Sequence, residues 1–549
     1  MSGIGTFWRT VRHLKAEQLI GRVRFRLARP QIDLRAAPPL RTIGGVWVTP
    51  ARRAPSLIGS TCFTFLNLER DLSSVGWDDP AVDKLWRYNQ HYFDDLNAVG
   101  ASQRAAAHRS LLARWIAENA PGLGTAWEPF PVSLRIVNWI KWFAGRTQPE
   151  PPWVHSLAVQ VRWLRQRLEW HLLGNHLFAN AKALVFAGLY FDGDEAREWL
   201  DCGLTLLERE IPEQILIDGG QFERSPMYHA LALEDVLDLL NAFSALADSA
   251  SRARQIEPVL RQCATRMLYW LRCMSHPDRR IAFFNDAADG IAPTNDELER
   301  YATALGITAA APPTEGVTPL MPSGYVRMSR GLAVALLDLA PIGPDYMPGH
   351  AHADTLSFEL SLGTRRVVVN GGTSCYGVSA QRLRERGTAA HSTVQIGSHD
   401  SSEVWSGFRV GRRALPSGVS VADWDVEGSH SGWRFLPGSP QHRRRWRLGT
   451  HDLLVEDTVT PAPVDAVARY HLAPGLQLRA VDGHWWRVLE GERELARVDV
   501  LSGNAEPAPS QHAPRFGVLM PTQALTVSLR EGRAVARWSW GPDAHSLSH

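Results

Sequence analysis

Leu356-Ser-Phe-Glu-Leu-Ser-Leu362 sets an apolar residue at every second position, and Arg366-Val-Val-Val-Asn370 then runs into a Gly-Gly turn. A period of two predicts strands with a buried face. Upstream the period is different. From about residue 80 to 310, apolar residues recur at three- and four-residue spacing. They do so from Leu112–Trp115 onward and in Val154–Leu173, Leu177–Phe191, Glu198–Glu210 and Tyr228–Leu246. Leu177, Ala181, Leu184, Val185 and Gly188 form one such stripe. Short Gly, Pro and Asp breaks separate the segments, which predicts successive antiparallel helices in a bundle or toroid. Residues 305–322 turn rich in Ala, Pro, Gly and Thr, as a linker would. Beyond them Leu453–Val459, Ala466–Leu472, Trp485–Leu489 and Ala524–Leu529 alternate again. The expected chain is therefore multidomain, α then β. Residues 1–80 form a basic segment and lead-in, 81–310 a helical domain, 311–322 a linker and 323–549 an antiparallel β-sandwich.

The 549 residues carry 59 Lys+Arg and 57 Asp+Glu, a net charge of +2, with 44% hydrophobic residues. That balance excludes a protein that coats nucleic acid or anionic lipid through bulk charge. No run approaches the ~18 apolar residues that span a bilayer. Tryptophan is over-represented, 21 against 10 tyrosines, which fits sugar stacking, large-ring cores or a GC-rich genome alike. Residues 1–30 hold Arg9, Arg12, Lys15, Arg22, Arg24, Arg26 and Arg29 against one acid, Glu17, with no apolar signal region. No signal peptide is expected there, and a cytoplasmic location is the default, with inner-membrane association or the periplasm left open. Two structures stay open for the segment: a helix packing its apolar side on the next domain, or a basic amphipathic helix touching a membrane surface. The five cysteines are scattered without a CxxC, so neither a disulfide framework nor a zinc finger is expected.

Three constellations could carry chemistry. Asn175 and His176 open a helix whose later turns are apolar, an N-cap arrangement or a functional pair. In Gln221–His229, Ser225-Pro226 reads as N-cap and first helical residue. That puts Tyr228 in the first turn, where the helix dipole and Arg224 would lower its pKa. Gly349-His-Ala-His-Ala-Asp354, if extended, points His350, His352 and Asp354 to one side. Asn370 and His391 could converge on the same point. Acidic candidates are Glu223, Glu234, Asp235, Asp286 and Asp289. Paired carboxylates would suit a glycosidase, but FFNDAADG reads as a loop with Asp-based turns.

In order, GNHLFANAKALVFAGLYF, ERSPMYHALALEDVLDLLN, FFNDAADGIAP, HAHADTLSFELSLGTRRVVVNGGTSCYG and RERGTAAHSTVQIGSHDSSEVW resemble the signature blocks of the heparinase II/III-like polysaccharide lyases. Trp127–Trp142 and Leu85–Leu96 fit as well, and the resemblance spans roughly residues 80–545. It implies an N-terminal incomplete (α/α) toroid, a C-terminal β-sandwich and a cleft between them. It also implies β-elimination on a uronic-acid-containing acidic polysaccharide; the missing signal, basic N-terminus and scattered cysteines suggest one of surface or exopolysaccharide metabolism. By motif, Asn175 would neutralise the uronate carboxylate, helped by His350. Tyr228 would act as base, acid or both, and His176 as base for the opposite stereochemistry. Arg135, Arg224, Trp139 and Trp405 are the expected substrate contacts, with Lys182 a further candidate. No cofactor is required. Some relatives hold a structural zinc, and His352, Asn370 and His391 would be its ligands here. Asn370 replaces an Asp and is a weaker donor, so occupancy stays open. The alternatives are a catalytically silent glycan-binding or assembly protein and an α/α-barrel glycoside hydrolase.

Overall fold

A computed structural model describes residues 3–42, 44–145, 147–247, 252–463 and 465–541. The expected first and last domains extend beyond these at their ends, where residues 1–2 and 542–549 lie outside the described residues. Helices Lys84–Tyr92, Ala105–Glu118, Pro129–Ala144, Pro151–Gln166, Gly174–Tyr190, Asp194–Gln214, Pro226–Leu246 and Arg252–Cys273 form the N-terminal domain. Their apolar stripes meet in one core that includes Trp115, Trp139, Leu184 and Leu237. The helix expected over Val154–Leu173 stops at Gln166. Residues 167–173 instead make a loop that carries Glu169 into the interior.

The β domain is two antiparallel sheets. One runs Asn504–Arg515, Val518–Ser528, Ala466–Leu472, Arg365–Val369, Phe358–Leu362, Ala333–Asp338, Tyr325–Arg330 and Gly316–Leu320, with Val394–Ile396 beside Ala466–Leu472. The other runs Pro416–Ala422, Asp425–His430, Gln441–Leu448, Asp452–Thr460, Arg533–Ser539, Arg493–Ser502, Trp485–Glu490 and Leu476–Ala480. Phe358, Leu360 and Leu362 from the first sheet share a core with Trp446, Val455 and Trp538 from the second, as in a sandwich. The end of the expected linker is thus structured, since Gly316–Leu320 is an edge strand of the first sheet.

The polar half of the Phe358–Leu362 alternation does not face water. Glu359 and Ser361 are buried. They hydrogen-bond the two nitrogens of His276, which follows the Arg252–Cys273 helix, at 2.8 and 2.7 Å. Trp270 and Cys273 from the helical domain share an apolar cluster with Tyr325 and Leu336 from the sheet. One sheet face therefore builds the sandwich and the other seats the helical domain. That seam positions the site.

Candidate active site at the domain seam

The Pro226–Leu246 helix starts as its sequence predicts. Ser225 Oγ accepts from the Tyr228 backbone N–H at 3.1 Å, and Pro226 is the first helical residue. This cap fixes Tyr228 in the first turn. Its ring lies 3.9 Å from that of His350, centroid to centroid, and its hydroxyl is 2.9 Å from the Tyr376 hydroxyl. Burial pushes the Tyr228 phenol well up, and the Asp286 and Glu223 carboxylates add to this against the Tyr376 hydrogen bond and Arg382. The lowering expected from Arg224 does not occur. Arg224 turns away, its Nε donating to the Ser323 carbonyl at 3.0 Å. The cation that acts on Tyr228 is Arg382.

Asp286 is the hub of the site. It is fully buried, and its Oδ2 accepts from His350 Nδ1 at 2.9 Å and Arg382 Nη2 at 2.7 Å. Its Oδ1 accepts from His352 Nε2 at 2.8 Å, from Thr373 Oγ1 at 3.3 Å and from Arg382 Nη1. Burial alone would raise this carboxyl; Arg382, His350 and His352 more than reverse that and hold it well below the ordinary range. FFNDAADG is a loop as its sequence predicts, and Asp286 gives that loop a role beyond its turns. His350 and His352 share Asp286, and Asp354 Oδ2 accepts from the Asn285 N–H at 2.9 Å. The three polar groups of residues 349–354 do converge on one loop, although the strand begins only at Phe358.

Across from this hub, Leu173 and Gly174 both adopt positive φ, 64° and 53°. A side chain on Gly174 would strike Met347 of the β domain. The sharp turn opens the Gly174–Tyr190 helix with Asn175 and His176 in its first turn, so Asn175 is not the N-cap. Among the described residues the Asn175 amide makes no hydrogen bond and is half-buried. His176 Nδ1 lies 3.1 Å from Glu169 Oε1, and Glu169 Oε2 is fixed by Asn180 Nδ2 at 3.0 Å. Burial opposes charge on His176, but Glu169 and Glu223 outweigh it and raise its pKa. Glu223 lies between the two halves. It is buried, its Oε2 has no hydrogen-bond partner, and that oxygen is 3.8 Å from His350 Nε2. Burial pushes the Glu223 carboxyl up, with His350, Gln221 and His176 pulling the other way.

The expected substrate contacts fare differently from the catalytic group. Arg135 is fully buried, donating to Gln160 Oε1 at 2.8 Å and to the His91 and Ala126 carbonyls at 3.2 and 2.9 Å. Trp139 is buried among Phe93, Trp115 and Phe143. Trp405 Nε1 donates to Thr10 Oγ1 at 3.0 Å, so it braces the N-terminal helix. Lys182 is paired with Asp235 and Asp238 at 2.7 and 2.6 Å. These polar residues serve the interior because the helical domain needs partners for its buried charges. Glu234 likewise binds Arg53 at 2.5 Å, which leaves the carboxylates of that helix unavailable as a hydrolase pair.

His352 and His391 meet, Nδ1 to Nε2, at 3.3 Å, and His352 Nε2 is held by Asp286. The Asn370 side chain accepts from the Ser392 N–H at 3.1 Å and donates to Ser357 Oγ at 3.3 Å. With its carbonyl oxygen engaged, no anionic donor and both His352 nitrogens in use, this set does not fit a divalent ion. Among the described residues no group of three or more His, Cys, Asp or Glu could hold a metal. Tyr376, Arg382 and Glu169 escaped sequence reasoning, for no periodicity or spacing marks them. Asp286 and Glu223 were visible only as acids near the right motifs.

Residues 89–305 match the family description Heparinase II/III N-terminus, and residues 312–541 match Heparinase II/III-like, C-terminal. The chain is 25% identical over 308 residues to a heparin-sulfate lyase of Bacteroides stercoris, covering 51% of this chain and 45% of that protein. It is 25% identical over 374 residues to the heparin-sulfate lyase of Pedobacter heparinus, covering 61% and 55%. The chain thus spans about half the length of these curated relatives. Among solved structures, one titled heparinase III superposes with a TM-score of 0.62 at 17% identity, over 83% of this chain and 76% of that one. A heparan sulfate lyase from Pedobacter heparinus does so with a TM-score of 0.55 at 17% identity, over 95% and 87%. The fold is theirs: a helical toroid followed by a β-sandwich.

Proposed function

The chain belongs to the heparinase II/III-like family, and on that footing we propose that it is a polysaccharide lyase cleaving a uronate-containing acidic polysaccharide by β-elimination. The observation that carries this reading is the meeting of Tyr228, His350 and Asp286 at the seam, with His176 and Glu169 beside an uncommitted Asn175. Elimination removes the C5 proton, forms the C4–C5 double bond, breaks C4–O4 and returns a proton to O4. Each step needs one group of this set. Asn175, free of internal bonds at a helix start, hydrogen-bonds the uronate carboxylate, and His350 completes its neutralisation. Tyr228, kept neutral by burial and nearby carboxylates, is the acid that protonates O4. His176, its proton affinity raised by Glu169, is the base that takes the C5 proton. Asp286 and Arg382 position His350 and Tyr376 without touching substrate.

The heparin-sulfate lyases among the relatives make heparan-type glycosaminoglycans the first substrates to try. Incubation with glycosaminoglycans, alginate and bacterial exopolysaccharides, followed by ultraviolet absorbance, should reveal unsaturated uronate on at least one. New reducing ends without that absorbance would instead indicate a hydrolase. Binding with neither product would indicate a silent glycan-binding protein.

A further inference from the structure

The first two helices, Gly3–Val11 and Ala16–Leu27, leave most of their large apolar side chains exposed. The second is seated against both domains through Gln18 and Gly21, its buried residues. Gln18 Nε2 donates to the Tyr346 carbonyl at 3.3 Å. A Cβ on Gly21 would come within 2.8 Å of the His171 and Trp170 backbone, so only glycine permits this contact. Phe25 lies against His171, ring centroids 4.2 Å apart, while the other large apolar residues point the other way. Leu19, Ile20, Val23 and Leu27 are 46%, 52%, 58% and 70% exposed. At about 100° per residue these four span an arc of about 100° opposite Gln18, Gly21 and Phe25. Arg22 and Arg26 flank that arc on one side and Arg24 on the other.

The first helix repeats the arrangement. Thr6 and Arg9 are tied to Glu403 at 2.8 and 2.7 Å, which leaves Ile4, Phe7 and Trp8 81%, 51% and 67% exposed. Seven of the 26 exposed large hydrophobic residues among those described therefore fall in these two helices. That concentration asks for a cover. The charges say which kind. Among the described residues Arg22, Arg24 and Arg26 pair with no carboxylate, while the one acid of this segment, Glu17, is taken by Arg209 at 2.6 Å.

We propose that these helices dock the protein on an anionic phospholipid surface. An apolar arc bordered by arginines is the pattern of an interfacial helix, with side chains in the acyl boundary and guanidinium groups at the phosphates. The contact is peripheral: among the described residues no helix is long and apolar enough to cross a membrane.

The test is co-sedimentation of the full chain with vesicles of phosphatidylcholine alone and of phosphatidylcholine containing phosphatidylglycerol. The protein should pellet with the anionic vesicles and remain in solution with the neutral ones. Replacing Arg22, Arg24 and Arg26 together by Gln should weaken that binding on the order of a hundredfold, about fivefold for each charge. The double substitution Ile20→Glu, Val23→Glu should abolish it with an unchanged circular dichroism spectrum, since both positions are exposed. The proposal is overturned if the native protein ignores anionic vesicles. It is also overturned if sedimentation velocity shows a dimer that the Glu pair converts to monomer, because a second copy would then be the cover.

Discussion

Replacing Asp286 by Asn removes the negative charge that Arg382, His350 and His352 share. Both Asp286 and Arg382 are fully buried, so the guanidinium left behind has no water to turn to. The amide cannot substitute: only one of its two terminal atoms accepts, whereas donors reach both carboxylate oxygens in the native site. Breaking a buried pair by neutralising one partner costs about 3–5 kcal/mol, a large share of a typical stability of about 5–15 kcal/mol. At about 2–4 °C per kcal/mol for a domain of this size, the melting temperature should drop on the order of 10 °C by calorimetry. The partly exposed pair of Arg280 and Asp289, 58% and 21% exposed, is the control, and Asp289→Asn should cost less than ~1 kcal/mol. The pH sign follows from the depressed Asp286 value. Its stabilisation is fully present above its unfolded value near 3.8 and fades as pH falls toward the lower native one. The gap between native protein and variant should therefore narrow below about pH 4. A variant melting within about 2 °C of the native protein near neutral pH would refute the hub.

Tyr228→Phe should lower turnover by about 10²–10⁴-fold while retaining polysaccharide binding, with little change in melting temperature; full activity would remove Tyr228 from the reaction. Glu169→Gln should lower the His176 pKa, since Glu169 is the main group raising it. The rise of kcat/KM with pH should then begin at lower pH. Stability has the opposite window: the raised His176 value contributes fully below its unfolded value near 6.5 and is lost as pH rises through the native one. An unmoved pH profile would show that His176 is not the base.

Sequence alone determined the architecture, because periods of 3.6 and 2 are local properties that any chain must satisfy to bury one face of a helix or strand. The Ser225-Pro226 start that places Tyr228 is equally local. So are the blocks carrying Asn175, His176 and His350, which are read directly along the chain. The tertiary structure decided the rest. Asp286 finds His350 and Arg382 across 64 and 96 residues, separations on which no periodicity bears. Arg135 and Trp139 looked suited to a cleft, yet the rotation of their helix turned them into the core. The tryptophans that composition left undecided mostly went the same way, with Trp86, Trp115, Trp139, Trp153, Trp270, Trp433, Trp446 and Trp538 all buried. In the Ala16–Leu27 helix the outcome is reversed, because close contact through Gly21 turned the Gln18, Gly21 and Phe25 side inward and left the Leu19, Ile20, Val23 and Leu27 arc to solvent. Amphipathicity states that a helix has two faces; only packing chooses which one the protein keeps.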